Sequence, residues 1–181
     1  MLCLNERRTI RQYEETQIPK ADLQKIVDAT LRAPTAMNVE DINIIVVTNK
    51  SKIEEISKIS MDSFSPEIKA NFEKRIESLG VKDTITCDAP CVMYFYTNER
   101  KSEAFSFLHC GLQLMSAMVA AKDLGYDTMT LGVYRRGDVT KIEAALDIPS
   151  GSFIIGLAVG KAKPNPKIGP KVVRASAKFI E

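Results

Sequence analysis

The segment 102–124 constrains the fold most: Phe105, Leu108, Leu112, Met115 and Val119 recur at intervals of 3 or 4 residues, and Gly125 follows as a stop. Its stretch "HCGLQLMSAMVAA" is rich in Ala, Gly and Met, which predicts close packing all round and makes this the central helix of the domain. A helix this long must be covered by other layers. Dense apolar runs of strand length occur at 42–48 ("INIIVVT"), 91–97 ("CVMYFYT"), 127–133 ("DTMTLGV") and 152–160 ("SFIIGLAVG"). Their length and β-branched content read as strands, and the first two look like central strands covered on both faces.

Helical patterns fall between these runs. Leu23, Ile26, Val27, Thr30 and Leu31 define a helix over 20–32 that must end near Ala33, because Pro34 disfavours helical geometry before it. Residues 51–60 place Ile53, Ile56 and Ile59 on one side. Ser65 and Pro66 open the next helix, which Gly80 closes, and Asp138 caps another through Leu146. The order is helix, strand, two helices, strand, long helix, strand, helix, strand and tail, an α+β or α/β sandwich with helices covering a small sheet. Neither an internal repeat nor a linker divides the 181 residues, so a single domain over 1–181 is expected. The tail over 164–181 carries Pro164, Pro166 and Pro170 and is expected to lie against something else, plausibly a second subunit.

Charge narrows the function. With 25 basic and 23 acidic side chains the net charge is only +2, which argues against nucleic acid or an anionic membrane as partner and makes any anion site local. The sequence reads as neither secreted nor membrane-spanning, which points to the cytoplasm. Cys3, Cys87, Cys91 and Cys110 lack the spacings of a zinc site and read as free thiols, so no metal is expected. The lone His109 supports no catalytic triad, and no glycine-rich phosphate loop is present. No catalytic side chain emerges, so in an enzyme a cofactor would carry the reaction.

Two stretches suggest where that cofactor would sit. "ERRTIRQYEE", residues 6–15, crowds Arg7, Arg8 and Arg11 around Thr9. Guanidinium forks and a hydroxyl suit a phosphomonoester, whereas the bland alternative is a solvated cluster balanced by Glu6, Glu14 and Glu15. "RAPTAMN", residues 32–38, breaks a helix and supplies Thr35, Ala36 and Asn38, small and polar residues that let a flat heterocycle approach backbone amides. An ordinary helix-to-strand turn is its alternative.

Together "RRTIRQY", "LRAPTAMNVEDINIIVV", "APCVMYFY", "HCGLQLMSAMVAAKDLGYDTMTLGVY" and "FIIGLAVGKAKPNPK" resemble, in order, the motifs of the nitroreductase family of flavin mononucleotide (FMN) enzymes. The resemblance implies an α+β fold, an α-β-α sandwich with a mixed sheet covered by helices, in an intertwined homodimer with FMN at the subunit interface. It implies that Arg7, Arg8, Thr9 and Arg11 hold the phosphate and ribityl chain. Pro34, Thr35, Ala36 and Asn38 would come from the partner subunit to line the isoalloxazine ring. Thr130, Leu131 and Gly132 would sit beside N5, Arg174 would return to the phosphate, and the tail over 164–181 would embrace the partner. NADH or NADPH would donate hydride in a ping-pong reaction with a nitroaromatic, quinone or similar flat small-molecule acceptor. Readings of another kind are a flavin-binding module with little turnover and a nucleic-acid binder using residues 7–11. This chain departs from the family pattern at Val39, Glu40, Asp41 and Ile42, where a neutral amide and an aromatic are usual. It departs again at His109, where Asp is common, at Ser116 and at Thr130.

Overall fold

The computed structural model describes residues 2–97 and 103–180, so the expected helix start at Ser102 and the domain ends at Met1 and Glu181 lie outside the described residues. In chain order the elements are α1 (Leu2–Glu6), α2 (Lys20–Leu31), β1 (Ile42–Val47), α3 (Lys50–Ser63), α4 (Pro66–Leu79), β2 (Cys91–Thr97), α5 (Glu103–Asp123), β3 (Asp127–Leu131), α6 (Val139–Leu146) and β4 (Phe153–Gly160). The strands form a sheet in the order β1-β2-β4-β3, every adjacent pair antiparallel. The mixed character expected of the sheet is confined to one parallel bridge, where Thr9 pairs with Thr128.

Local chemistry explains the helix boundaries. The Asn49 and Asp138 side chains accept from the backbone N–H of Lys52 and Lys141, capping α3 and α6. Pro66 occupies the first turn of α4, and Gly80 ends it with φ +65, a conformation that costs glycine little. α2 stops at Leu31, as the proline at 34 requires.

Alternating side chains of β2 fill two cores. Val92 and Tyr94 join Ile53, Ile56, Ile142 and Leu146 on the α3/α6 side. Cys91, Met93 and Phe95 join Leu23, Ile26, Ala117 and Ala121 on the α2/α5 side. Helices therefore cover both faces of the sheet, the expected sandwich.

Four expectations change. β1, read as a central strand, is an edge strand that pairs only with β2 and has a half-buried middle; an apolar run does not reveal how many neighbours it has. The strand expected over 127–133 ends at Leu131, and Gly132–Arg136 forms a 3-10 turn. α1 was not foreseen, being too short to show periodicity. The largest change concerns α5, whose side against the sheet is lined by Ser106, His109, Cys110, Gln113, Ala117 and Ala121, all buried. The bulky Phe105, Leu108, Leu112 and Met115, expected inside, are 37–57% exposed. Small side chains let the helix lie close to the sheet, which leaves the large ones facing outward. Ala104–Asp123 is long and apolar enough to cross a membrane by length and composition, contrary to the expectation from sequence, but its inner side packs on the sheet and α2.

β4 ends where backbone and side chains meet most closely. A Cβ built on Gly160 would lie 2.7 Å from Pro90 Cδ and 2.8 Å from Cδ1 of the buried Tyr13. Gly160→Ala should therefore lower unfolding free energy by about 1–3 kcal/mol, read from the urea midpoint. An unchanged midpoint would show that the strap carrying Tyr13 gives way freely.

Candidate functional site

The N-terminal strap is laid along the free edge of β3 by backbone bonds. Ile10 N–H donates to the Thr128 carbonyl at 3.2 Å, and Glu14 N–H to the Lys161 carbonyl at 2.8 Å. Ile10 and Tyr13 are buried while Arg11 points outward. The Arg8 guanidinium donates to the carbonyls of Asn5 (2.7 Å) and Arg7 (3.0 Å), holding it at the end of α1. Two of the three carboxylates that would balance the cluster are engaged elsewhere: Glu14 pairs with Lys161 at 3.6 Å and Glu15 with Lys82 at 3.4 Å, while Glu6 is exposed at the end of α1. Among the described residues no carboxylate pairs with Arg7, Arg8 or Arg11. Glu14 and Glu15 therefore do not neutralise the strap arginines through ion pairs.

A further arginine, which sequence reading missed, lies within electrostatic reach of Arg11. Arg75 of α4 donates to the Thr84 carbonyl at 2.9 Å and lies over the Phe72 ring at 4.1 Å. Burial is the main cause that lowers its pKa; Cys87 opposes this, and the nearby positive charge of Arg11 adds to it. Arg11 and Arg75 therefore share one electropositive neighbourhood. The only hint in the sequence was the position of Arg75 three residues after Phe72 on the same helix face. Cys87 in the same neighbourhood is a buried thiol pushed up to about 11, so it stays protonated near neutral pH and is no nucleophile.

Thr130 and Gly132 are exposed at the far end of β3, with Leu131 buried between them, so β3 carries this corner and the arginine strap together. Residues 34–38 belong to a different place, against α5. Ala36–Asn38 is a 3-10 turn, and Met37, Asn38 and Glu40 have φ of 51, 54 and 45. Three non-glycine residues in the left-handed region cost about 1–2 kcal/mol each, so other contacts must hold the loop. Ala36 N–H donates to His109 Nε2 at 2.8 Å, Asn38 N–H to the Thr35 carbonyl at 3.2 Å, and Glu40 N–H to Thr35 Oγ1 at 3.2 Å.

His109 is fixed in turn. Because Nε2 accepts, Nδ1 carries the proton and donates to Asp41 Oδ1 at 2.7 Å, while Ser106 Oγ donates to Asp41 Oδ2 at 2.6 Å. The His109 and Asp41 side chains are 2% and 7% exposed. Asp41 and His109, each a departure from the family pattern, are thus partners. Arg174 is exposed in a stretch without helix or strand and makes no hydrogen bond or ion pair among the described residues. The tail is anchored only at its start, where Lys167 N–H donates to Gln12 Oε1 at 2.8 Å and its ammonium to the Ser78 carbonyl at 2.6 Å.

None of the twelve expected residues lines the cavity of about 540 Å³ that opens between α3, α4 and the turn over 82–90. The arginine strap and the β3 corner lie together, and the loop over 34–38 stands apart from them against α5. The donor set on the strap fits a phosphomonoester: guanidinium groups without acidic partners, beside the Thr9 hydroxyl. The described residues contain no group of three or more His, Cys, Asp or Glu suited to a metal ion.

Comparison with known proteins gives the family. Residues 4–161 match the family described as Nitroreductase family, and the chain belongs to it. It is 24% identical over 182 residues to an FMN reductase [NAD(P)H] of Bacillus subtilis, covering 98% of this chain and 73% of the relative. Its fold superimposes on an FMN-bound nitroreductase from Bacteroides fragilis with a TM-score of 0.82 at 22% identity, covering 99% of this chain and 96% of the other. An FMN-bound nitroreductase from Desulfitobacterium hafniense gives 0.84 at 20%, covering 99% and 97%.

Asp41 yields a pH test. Burial, the largest single influence, raises its pKa, but hydrogen bonds from Ser106 and His109 and a backbone bond together bring it below the ordinary value. A folded pKa below the unfolded one stabilises the protein above the unfolded value of about 3.9, and that stability is lost as pH falls through the folded value. The stability gap between wild type and Asp41→Asn should therefore be widest near neutrality and shrink below about pH 4 in pH-resolved urea titrations. A gap that stays constant into acid would mean the ionised carboxylate is not what stabilises.

Proposed function

We propose that this chain is an FMN-dependent NAD(P)H oxidoreductase, and the observation that carries the reading is the set of guanidinium groups on the β3 edge with no acidic partner. The FMN-bound nitroreductases that share its fold, and the relative named FMN reductase, support the cofactor and the donor. Arg7, Thr9 and Arg11 hold the phosphate and ribityl chain, with Arg8 fixed against α1 and able to complete the charge. Arg11 and Arg75 together favour negative charge in their neighbourhood. Thr130, Leu131 and Gly132 offer an exposed backbone corner against the ring, and Gly132 leaves room for a flat ligand to approach closely. Arg174 would reach the phosphate from the tail.

FMN held by Arg7, Thr9 and Arg11 would supply the redox chemistry, hydride transfer through N5 from NADH or NADPH to a nitroaromatic, quinone or similar flat acceptor in a ping-pong sequence. The chain's part is to bind, orient and exclude water. No side-chain acid or base is required, in keeping with thiols and tyrosines that burial pushes upward, Cys91 and Cys110 to about 12. Of the two acidic departures near the loop, Asp41 is turned inward, so only exposed Glu40 would meet an acceptor.

The site is completed by a second copy. The exposed apolar side of α5, Phe105, Leu108, Leu112 and Met115, continues to Leu31 and to Met37, which is 93% exposed. An apolar surface of this kind is what a homodimer covers. In that dimer Pro34, Thr35, Ala36 and Asn38 of the partner subunit close over the ring, and Val172, Val173, Phe179 and Ile180 of the tail lie on the partner. Four free cysteines, three of them buried, suit the reducing cytoplasm.

Arg7→Ala and Arg11→Ala should each weaken FMN binding by about 1.5–3 kcal/mol, leaving largely apo protein in equilibrium dialysis. Unchanged flavin content would remove the phosphate from this strap. Leu108→Glu should shift the chain to monomer in sedimentation and abolish FMN uptake, since the site needs both copies. A monomer that still holds FMN would place the site within one chain.

A further inference from the structure

The buried chain Ser106, Asp41, His109 has no role in the chemistry outlined above, yet it ends on the amide of Ala36 inside the loop expected to line the ring. Each link is 2.6–2.8 Å long. We propose that His109, oriented by Asp41, is a positioning residue that turns the Ala36 amide inward and so fixes the ring-facing shape of the loop over 34–38 for the flavin held by the other copy. The inference rests on the functional reading above and deepens it.

Three features of the loop argue for this. Met37, Asn38 and Glu40 lie in a backbone region that non-glycine residues avoid, so the loop would relax unless held. The amides of Ala36, Asn38, Val39 and Glu40 are all spent on internal acceptors, which leaves the loop to meet a flat ligand by shape rather than by donation from those groups. Finally, the Ala36 bond to His109 is the one of these four that ties the loop to a long helix; the other three close within the loop itself. Asp41 sets the tautomer, because its carboxylate can only accept, and the imidazole must therefore present a bare Nε2 to Ala36. Removing the imidazole leaves the Ala36 amide without its acceptor and Asp41 Oδ1 without the imidazole donor, and the loop loses its tie to α5.

The test uses paired chains. His109→Phe keeps a ring of similar size without an acceptor, and His109→Gln restores an acceptor. FMN affinity of the His109→Phe dimer should fall about tenfold, and His109→Gln should recover most of it. Mixed dimers of a His109→Phe chain with an Arg7→Ala chain, separated by different tags, then report on geometry. If the loop acts across the interface, both lesions fall in one site, and the mixed dimer binds one FMN with wild-type affinity. Two weakened sites and none of wild-type affinity would mean that His109 serves only its own subunit, and would overturn the proposal. Wild-type FMN affinity in both His109 variants would overturn it as well. Should His109→Phe not accumulate as folded protein, Asp41→Asn keeps every heavy atom in place and must show the same one-site pattern with a smaller loss. Failure of the wild-type dimer to take up any FMN would instead bring down the functional reading itself, and the loop's role with it.

Discussion

The bond from Ile10 N–H to the Thr128 carbonyl decides where the charge of this protein goes. Without it residues 7–11 would be a polar leader with no fixed direction. With it, Ile10 and Tyr13 are driven into the core, Arg11 is turned out, and the strap becomes a fifth line beside the sheet. Glu14 and Glu15, which follow the arginines in sequence, are carried past them to Lys161 and Lys82. Separation of acid from base along a single extended segment is what the proposed anion site rests on in a chain whose net charge is only +2.

The second organising constraint is the inversion of α5. A helix whose sheet-facing side is Ser106, Cys110, Gln113 and Ala117 can lie close to β-strands, and the cost is a row of large apolar groups facing outward. That row and the loop over 34–38 lie at the same end of α5, coupled through His109. Dimer formation and completion of the flavin site are thus one event in this account, because the surface that must be covered carries the loop that must arrive.

Much of the fold was legible because its signals were local. Asp138, Pro66 and Gly80 act within one helical turn of where they stand, and the dense runs at 91–97 and 152–160 could be little other than interior strands. What failed were questions about neighbours. Nothing in "INIIVVT" says that β1 has one partner rather than two, and α5 has two apolar sides, so periodicity alone favoured the bulkier one. The arginine strap could be read, but its freedom from acidic partners depended on Lys161 and Lys82, far along the chain. Asp41 and His109 stood out singly as departures; their pairing spans 68 residues and appears only when the loop is folded against α5. The proposed role of the tail depends on a second copy, since Arg174 is exposed and makes no hydrogen bond or ion pair among the described residues.

Sedimentation velocity of the purified protein, followed at the visible absorbance of the flavin, tests the central claim most directly. The account predicts that the colour moves with a particle of twice 20.1 kDa and accounts for one FMN per chain. Colour left at the meniscus, or travelling with a single chain, would contradict a phosphate gripped on the β3 edge in a site that two copies complete.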